Sequence, residues 1–297
     1  MKAKRRFNIW LWVLLCVPCL LASCDHNVHD GEDEGGLSVS LTWADEADQG
    51  TEVKDVKLWI FNANDGSLVE EKHYSSAKEV ASQRFALPEG HYQILAITNL
   101  IEPFFTTDQT RALINWNNIQ IGLTNPNDVN HNAYFGVTDV NIDNKEGSYV
   151  VQNPMKSVLA ELTVIIENIP KGTEMSGKAL DCAGCLFPTQ KNSDGDYGLP
   201  SIEPTEVELP TLLATESILK SEVIRLMPTI QGSPASHIYL RLQLPDETLQ
   251  EFDITAPKMN VGGKYELRFK YEEMQPKMNL EATINGWTNL NNEVEIK

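Results

Sequence analysis

Short stretches of alternating apolar and polar residues recur along the chain, and they constrain its fold more than any other feature. Residues 37–43 and 92–98 each place an apolar side chain at every second position, which is the period of a half-buried β-strand. Residues 56–61 and 68–74 flank the segment 62–67, whose Asn-Asp-Gly sequence suits a tight hairpin turn. Many short strands separated by turn residues predict an all-β protein of the sandwich type.

A second set of such strands follows residue 153, and the two halves resemble each other. Each half opens on a long apolar strand. Residues 88–94 and 261–267 also correspond, because in both a glycine turn precedes a tyrosine that starts an alternating strand. A hydrophobic content of 41% in 297 residues is sufficient for a buried core. We therefore expect two tandem β-sandwich domains, one over residues 37–152 and one over residues 153–297.

The N-terminus has the anatomy of a secretory signal that ends in a lipoprotein cleavage site. Four basic residues between positions 2 and 6 precede an apolar run over residues 7–21, and Ala22, Ser23 and Cys24 follow. Cleavage after the small Ser23 would make Cys24 the new N-terminus. We therefore expect residues 1–23 to be removed and the thiol of Cys24 to carry the lipid that holds the protein in a membrane.

An uncleaved membrane anchor is the alternative interpretation of this segment. A spanning helix needs about 20 apolar residues, whereas this run is shorter, contains Asn8 and Pro18 and ends in an acidic tract. Cys16 and Cys19 are poor cleavage sites, because Leu15 and Pro18 precede them and neither is small and unhindered. The lipoprotein signal is therefore favoured.

Residues 24–36 are rich in acids and glycine, and they contain too little apolar surface to form a core. We expect this segment to be a flexible tether. The whole chain carries a formal net charge of −18, and removal of the basic signal would make the mature chain more acidic still. Such a body would be drawn neither to nucleic acid nor to anionic lipid.

Two further cysteines, Cys182 and Cys185, belong to the expected mature chain. An exported protein permits disulfides, whereas a Cys-x-x-Cys redox motif belongs in front of a helix in a βαβ unit, which this neighbourhood lacks. Prolines and glycines between residues 188 and 200 predict a loop here. Two interpretations stay open, a local disulfide between Cys182 and Cys185 or two unreactive thiols, and both are favoured over thiol chemistry.

The sequence offers no motif for catalysis, cofactor binding or metal binding. It lacks a phosphate-binding glycine loop, a His-Glu-x-x-His helix and a Gly-x-Ser-x-Gly elbow. The six histidines are scattered without ligand spacing, and the aspartates near residue 194 lack the glycine and distal glutamate of a calcium loop. We expect no enzyme activity, no cofactor and no metal ion.

A hairpin over residues 56–69 is followed by Leu-Pro-Glu-Gly-His-Tyr-Gln-Ile over residues 87–94, and a Gly-Gly-Lys-Tyr strand begins at Gly262. Together with Gly286-Trp287 and the lipid cysteine, these motifs resemble the FimB-like fimbrial anchor lipoproteins of the Bacteroidales fimbrillin superfamily. The hairpin resembles the family pattern x-Val-x-Leu-x-Val-Phe-Asp-x-Asp-Gly-x-Leu-Val, and residues 87–94 match its Leu-Pro-x-Gly-x-Tyr-x-Ile. The resemblance spans most of the expected mature chain.

The resemblance implies two transthyretin-like, Greek-key β-sandwich domains and a fimbrial anchor or assembly lipoprotein. It implies partners among the fimbrial shaft subunits, joined by β-strand exchange, and Val294, Glu295 and Ile296 at the C-terminus are the candidate donor strand. It also implies a surface-exposed place in the outer membrane, at the base of the fimbria. Shaft precursors of the superfamily are cut by an arginine-directed protease, but no arginine lies between Cys24 and Arg84, which favours an uncut anchor. A cut at Lys54 or Lys57 by a protease of different specificity is the open alternative.

A surface glycan-binding lipoprotein is the alternative function, because β-sandwiches often bind glycans. Trp43, Trp59, Trp116 and Trp287 could stack on sugar rings. The polar neighbours that alternate with Trp43 and Trp59 favour core positions for those two side chains instead.

Overall fold

The computed structural model describes residues 35–43, 53–106, 113–274 and 288–289. Over these ranges the strands are β1 Gly36–Trp43, β2 Val56–Asn62, β3 Leu68–Tyr74, β4 Gly90–Thr98, β5 Phe104–Thr106, β6 Ile121–Leu123, β7 Tyr134–Ile142, β8 Ser148–Ser157, β9 Ala160–Glu167, β10 Glu174–Ala183, β11 Cys185–Lys191, β12 Tyr197–Pro200, β13 Pro204–Leu213, β14 Ile218–Lys220, β15 Ile224–Leu226, β16 Ala235–Gln243, β17 Leu249–Pro257, β18 Lys264–Lys270 and β19 Thr288–Asn289. The helices are α1 Ala77–Ala81 and the 3-10 helices Trp116–Asn118 and Tyr271–Glu273. Every described helix is too short to span a bilayer.

A six-stranded sheet in the order β1-β8-β7-β4-β2-β3 forms the centre of the first half. Its inner strands β2 and β4 bury both faces, which explains the unbroken apolar runs at 58–61 and 94–97. One face packs against Val80 of α1 and against Phe85 and Leu87. The other face contributes Trp59 and Phe61 to a larger core that extends into the second half of the chain.

Two parallel strand pairs join the beginning and the end of each half. β1 runs parallel to β8, with Gly36 opposite Ser148 and Trp43 opposite Met155. β9 runs parallel to β18 in the same way, from Glu161 opposite Lys264 onwards. The first strand of each half therefore lies beside a strand from the end of that half.

A long hairpin carries the second half across to the first. Gly184 alone separates β10 from β11, and β12 and β13 return beside them. β10 pairs with β13 and β16, whereas β11 pairs with β6, where Leu186 lies opposite Ile121. The sheet β12-β11-β6-β5 therefore takes strands from both halves of the chain.

The second half is completed by two further sheets. One has the order β13-β10-β16-β17, and the other has the order β14-β9-β18-β19, with β15 also paired to β9. Buried residues of both sheets, such as Leu240 and Leu267, belong to the same core as Trp59 and Phe135 of the first half. A continuous core thus connects the layers.

The all-β, sandwich-type fold is confirmed, whereas two details of the structure differ from what the sequence predicts. The segment 182–200 is not a single loop, because it contains the end of β10 and the whole of β11 and β12, and β11 pairs with both β6 and β12. β1 begins at Gly36, one residue before the expected start. β8 continues past residue 152 to Ser157, and β11 pairs with β6 of the first half. The division into domains over 37–152 and 153–297 stays a prediction.

Candidate assembly surfaces

The described part of the chain contains no group of three His, Cys, Asp or Glu residues that could hold a metal ion. The features with functional potential are instead strand edges and chain ends. They include the beginning of β1, the outer edge of β18 and the junction made by the β11–β12 hairpin. The predicted lipid site, Cys24, and the predicted donor residues Val294, Glu295 and Ile296 lie outside the described residues.

Backbone hydrogen bonds hold the beginning of β1 from two sides. The amide of Gly36 donates to the carbonyl of Gly147 over 2.7 Å. Leu37 and Phe85 exchange both of their backbone hydrogen bonds, at 3.0 and 2.9 Å. Leu37 is fully buried. The point where a tether from Cys24 would join the folded body is therefore firmly fixed to the sheet.

The outer edge of β18 receives the segment that leads to the C-terminus. β18 pairs with β9 along one side over its whole length, from Lys264 to Lys270. On its other side Tyr265 and Glu266 lie opposite the two residues of β19. The C-terminal segment thus reaches the sheet as an antiparallel edge strand, which is the geometry in which strands are added between proteins.

Ion pairs fix the carboxyl end of β18 to its parallel neighbour. Arg268 binds Glu266 over 2.8 Å and also binds Glu167 at the end of β9. Hydrogen bonds to Glu266 and then to Glu167 raise the pKa of Arg268, so its charge is fully retained at neutral pH. Beyond the strand, the side-chain amide of Asn168 donates to Glu272 over 2.9 Å. These contacts hold the register of β9 and β18 where the edge ends.

The β11–β12 hairpin is anchored to the first half by aromatic rings. Trp116 packs edge-on against Phe61 with ring centroids 5.4 Å apart, and against Tyr197 of β12 at 6.1 Å. The hydroxyl of Thr189 in β11 donates to the backbone carbonyl of Trp116. Edge-to-face packing of this kind stabilises a core beyond the area that it buries.

These positions weaken the glycan-binding alternative. Trp59 and Trp116 are buried at 3% and 8% exposure, so neither ring presents a face to a sugar. The expected core position of Trp59 is confirmed. Trp116 was a candidate for stacking on sugar rings, but it is instead part of the hairpin junction. Trp43 is half-buried, and Trp287 lies outside the described residues.

A half-buried cation completes the hairpin junction. The ammonium of Lys156 in β8 lies 5.1 Å from the ring centroid of Phe135 and donates to the carbonyl of Tyr197. Burial lowers the pKa of Lys156, although the charge of Asp196 opposes this effect. The ring and the carbonyl replace part of the water that the ammonium loses, so the lysine ties β8 to β12.

The two cysteines lie on either side of Gly184 in the long hairpin. Both are free thiols in the structure, with Cys182 buried and Cys185 half-buried. Burial, with a smaller contribution from Asp181, raises the pKa of Cys182 to about 12, and burial also raises the pKa of Cys185. Thiolate is the reactive form, so this environment opposes thiol chemistry. The disulfide between the two residues stays a prediction.

Alkaline solution is expected to destabilise the reduced protein through Cys182. The unfolded thiol ionises near pH 8.5, whereas the folded one ionises at about 12. Its contribution to stability is therefore complete below about pH 8.5 and is lost as the pH rises toward 12, by about 2 kcal/mol at pH 10. Chemical denaturation at pH 8 and pH 10 should show this loss in the native sequence and a smaller one in Cys182→Ala.

Alkylation with iodoacetamide distinguishes the two interpretations of the cysteine pair. In reduced, folded protein at pH 8, iodoacetamide should modify Cys182 only after denaturant is added. If denatured but unreduced protein offers neither thiol to the reagent, the local disulfide is present and the alkaline effect should be absent. An equal loss of stability in Cys182→Ala would contradict the assignment of the effect to Cys182.

Several solved structures of bacterial proteins have a similar fold. A candidate adhesin from Bacteroides thetaiotaomicron is 12% identical, and the alignment covers 80% of this chain and 92% of that one with a TM-score of 0.54. A candidate polysaccharide-binding protein from the same organism is also 12% identical, with 80% and 93% covered and a TM-score of 0.53. The fimbrial anchor protein Mfa2 from Porphyromonas gingivalis is 12% identical, with 79% and 90% covered and a TM-score of 0.52. At these identities the likeness concerns the fold.

The same fold thus occurs in a candidate adhesin and in a fimbrial anchor protein. A family profile identifies the group to which this chain belongs, because it matches residues 24–293, nearly the whole chain. The chain belongs to the family of fimbrillin-A associated anchor proteins Mfa1 and Mfa2. This confirms the family resemblance drawn from the hairpin and tyrosine-strand motifs. The search of curated proteins found no match.

Proposed function

We propose that this protein is a lipid-anchored fimbrial anchor or assembly subunit, held in the outer membrane through Cys24 and exposed at the cell surface. The family match carries the proposal, and it begins at Cys24, the residue that the sequence predicts as the first of the mature chain. The fixed beginning of β1 supports it, because a tether can transmit a pull only to a strand that is held in place.

The proposed partner is a fimbrial shaft subunit, joined by β-strand exchange. Two observations support this mode: the position of β19 at the edge of its sheet and its antiparallel pairing with β18. Val294, Glu295 and Ile296 lie beyond β19 in the sequence and are the proposed donor strand. An added strand alternates its side chains, so Val294 and Ile296 would enter pockets of the partner while Glu295 would face solvent.

A paired substitution tests the donor strand. Val294→Ser combined with Ile296→Ser removes both apolar side chains of one face, whereas Glu295→Gln changes the opposite face and serves as the matched control. We expect cells with the double variant to shed fimbriae into the medium, and cells with Glu295→Gln to retain them. Immunoblots of cell and medium fractions for the shaft subunit measure the effect.

Two further results decide the interpretation of that test. The double variant should still be found in the membrane fraction at the native amount, because its fold and its lipid site are unchanged. If fimbriae stay on cells that carry the double variant, the C-terminal residues are not the donor strand.

A further inference from the structure

The arrangement of the first and last strands in each half has a mechanical consequence. β1 and β8 are parallel, and the chain enters β1 at Gly36 and leaves β8 at Ser157. β9 and β18 are parallel too, and the chain enters β9 at Ala160 and leaves β18 at Lys270. A pull on the two ends of the chain therefore draws the strands of each pair past each other, along their length.

Such a pull loads every hydrogen bond of a ladder at the same time. When two paired strands are instead pulled apart from the same end, their bonds break one after another and each carries the full force alone. Parallel ladders have evenly spaced bonds, so a shearing load is shared along the whole pair.

We propose that this protein is a load-bearing link, in which the pairs β1–β8 and β9–β18 act in series as two shear clamps. This inference rests on the proposed function, which places the lipid before β1 and the fimbria beyond β18. It adds that the fold itself resists the tension between those two ends.

The contacts of β1 suit this role. Leu37 and Val39 are fully buried and Leu41 is nearly so, all in the core on one face of the first sheet. Sliding β1 by one residue would turn these side chains to the opposite face. Sliding would also break the two backbone hydrogen bonds that join Leu37 to Phe85.

The connection between the two clamps is short and tightly bound. Val158 and Leu159, between β8 and β9, are fully buried. The amide of Val158 donates to the carbonyl of Ala133 at 2.9 Å, and the carbonyl of Leu159 accepts from Gly262 at 3.2 Å. Tension therefore passes from one clamp to the other without a slack linker.

The second clamp has its own resistance to sliding. Leu162, Val164 and Ile166 of β9 are fully buried, and so is Leu267 of β18. Arg268 binds Glu167 across the ladder, so movement of β18 along β9 must also break an ion pair. Apolar packing and charge thus oppose displacement in the direction of the load.

Single-molecule force spectroscopy on one protein in two pulling directions tests the clamps. The chain from Asp25 onwards carries an N-terminal tag, and Cys182→Ala with Cys185→Ala leaves an introduced cysteine as the only thiol. Glu273→Cys applies the load in shear. Lys145→Cys, in the exposed turn before β8, instead pulls β1 and β8 apart from adjacent ends. We expect the first rupture in shear to need at least about twofold more force than the rupture from Lys145.

Two matched substitutions separate mechanical from equilibrium stability. Val39→Ala alters β1, and Val140→Ala alters β7, and both side chains lie in the same core. Both should reduce resistance to denaturant, but only Val39→Ala should lower the shear rupture force. Equal forces in the two pulling directions, or equal force losses in the two variants, would overturn the inference.

This test does not depend on the proposed function, because the pulled protein carries neither lipid nor partner. Retention of fimbriae on cells tests the function separately. Low shear forces together with normal retention would reject the clamps and leave the anchor in place. If the shear forces are high but cells retain their fimbriae without this protein, the clamps exist and the proposed anchoring function is rejected.

Discussion

Replacement of Cys24 by alanine is expected to remove nearly all of the protein from the membrane fraction, or to leave it as an unprocessed precursor. The reason is chemical, since alanine has no thiol to carry the acyl chains and a lipoprotein peptidase requires the cysteine. The remaining chain is strongly acidic, with a net charge of −18 even before the basic signal is removed, so it has no electrostatic affinity for anionic lipid. Fractionation followed by immunoblotting measures the loss.

Cys19→Ala is the matched control, because it changes a cysteine of the same apolar segment that Pro18 precedes. It should leave processing and fractionation unchanged. Mass spectrometry of the N-terminal peptide from assembled fimbriae should show an acylated Cys24 as the first residue. A first residue near position 55 would instead indicate a shaft subunit, and normal processing with membrane attachment of Cys24→Ala would refute the lipid anchor.

The sequence alone predicts a strand or a turn where the structure depends only on neighbouring residues. The hairpin of β2 and β3 was predicted from the Asn-Asp-Gly turn, and it forms with Val56 opposite Tyr74. Tyr92 and Tyr265 were matched as strand openers, and each hydroxyl does bind backbone of the preceding turn, at Pro88 and Asn260 respectively. Turn chemistry and side-chain period act over a few residues, so they can be seen in a single sequence.

Pairing between distant strands could not be predicted in this way. The correspondence of Tyr92 with Tyr265 suggested equivalent strands, yet β4 lies between β2 and β7 whereas β18 lies beside β9. The parallel partners are separated by about a hundred residues, and no local signal specifies them. Glycine and proline in 182–200 suggested a loop. Proline is compatible with a strand where the backbone makes no ladder hydrogen bond, and glycine is compatible with a strand whose backbone must approach a ring closely.

The candidate surfaces also differ in whether local sequence is enough to predict them. The prediction that Cys24 is the lipid site rests on the order of residue types in a targeting segment, which needs no tertiary structure. The hairpin junction of Trp116, Tyr197 and Lys156 had no signal in the sequence, because its members come from three distant segments. Because Trp116 is buried in that junction, its ring does not present a face on which a sugar could stack.

Gly198→Ala is expected to destabilise the hairpin junction more than any other small substitution in β12. Gly198 has a φ of +99°, where an L-residue is strained, and an added Cβ would lie 2.6 Å from Cζ of Phe135. Phe135 cannot move aside, because it is fully buried and Lys156 covers its ring. Backbone strain and overpacking together should lower the free energy of unfolding by about 3 kcal/mol.

Gly195→Ala isolates the contribution of that contact. Gly195 belongs to the same hairpin and has a similar φ of +88°, but its added Cβ would meet nothing within 4 Å. It should therefore lower the free energy of unfolding by about 1 kcal/mol, through backbone strain alone. Trypsin provides a local measurement: displacement of β12 would expose the backbone near Lys191, so Gly198→Ala should be cut there faster than Gly195→Ala. Equal cleavage and equal destabilisation of the two variants would mean that packing against Phe135 does not hold the hairpin in place. The two halves would then be joined mainly through the connection between β8 and β9.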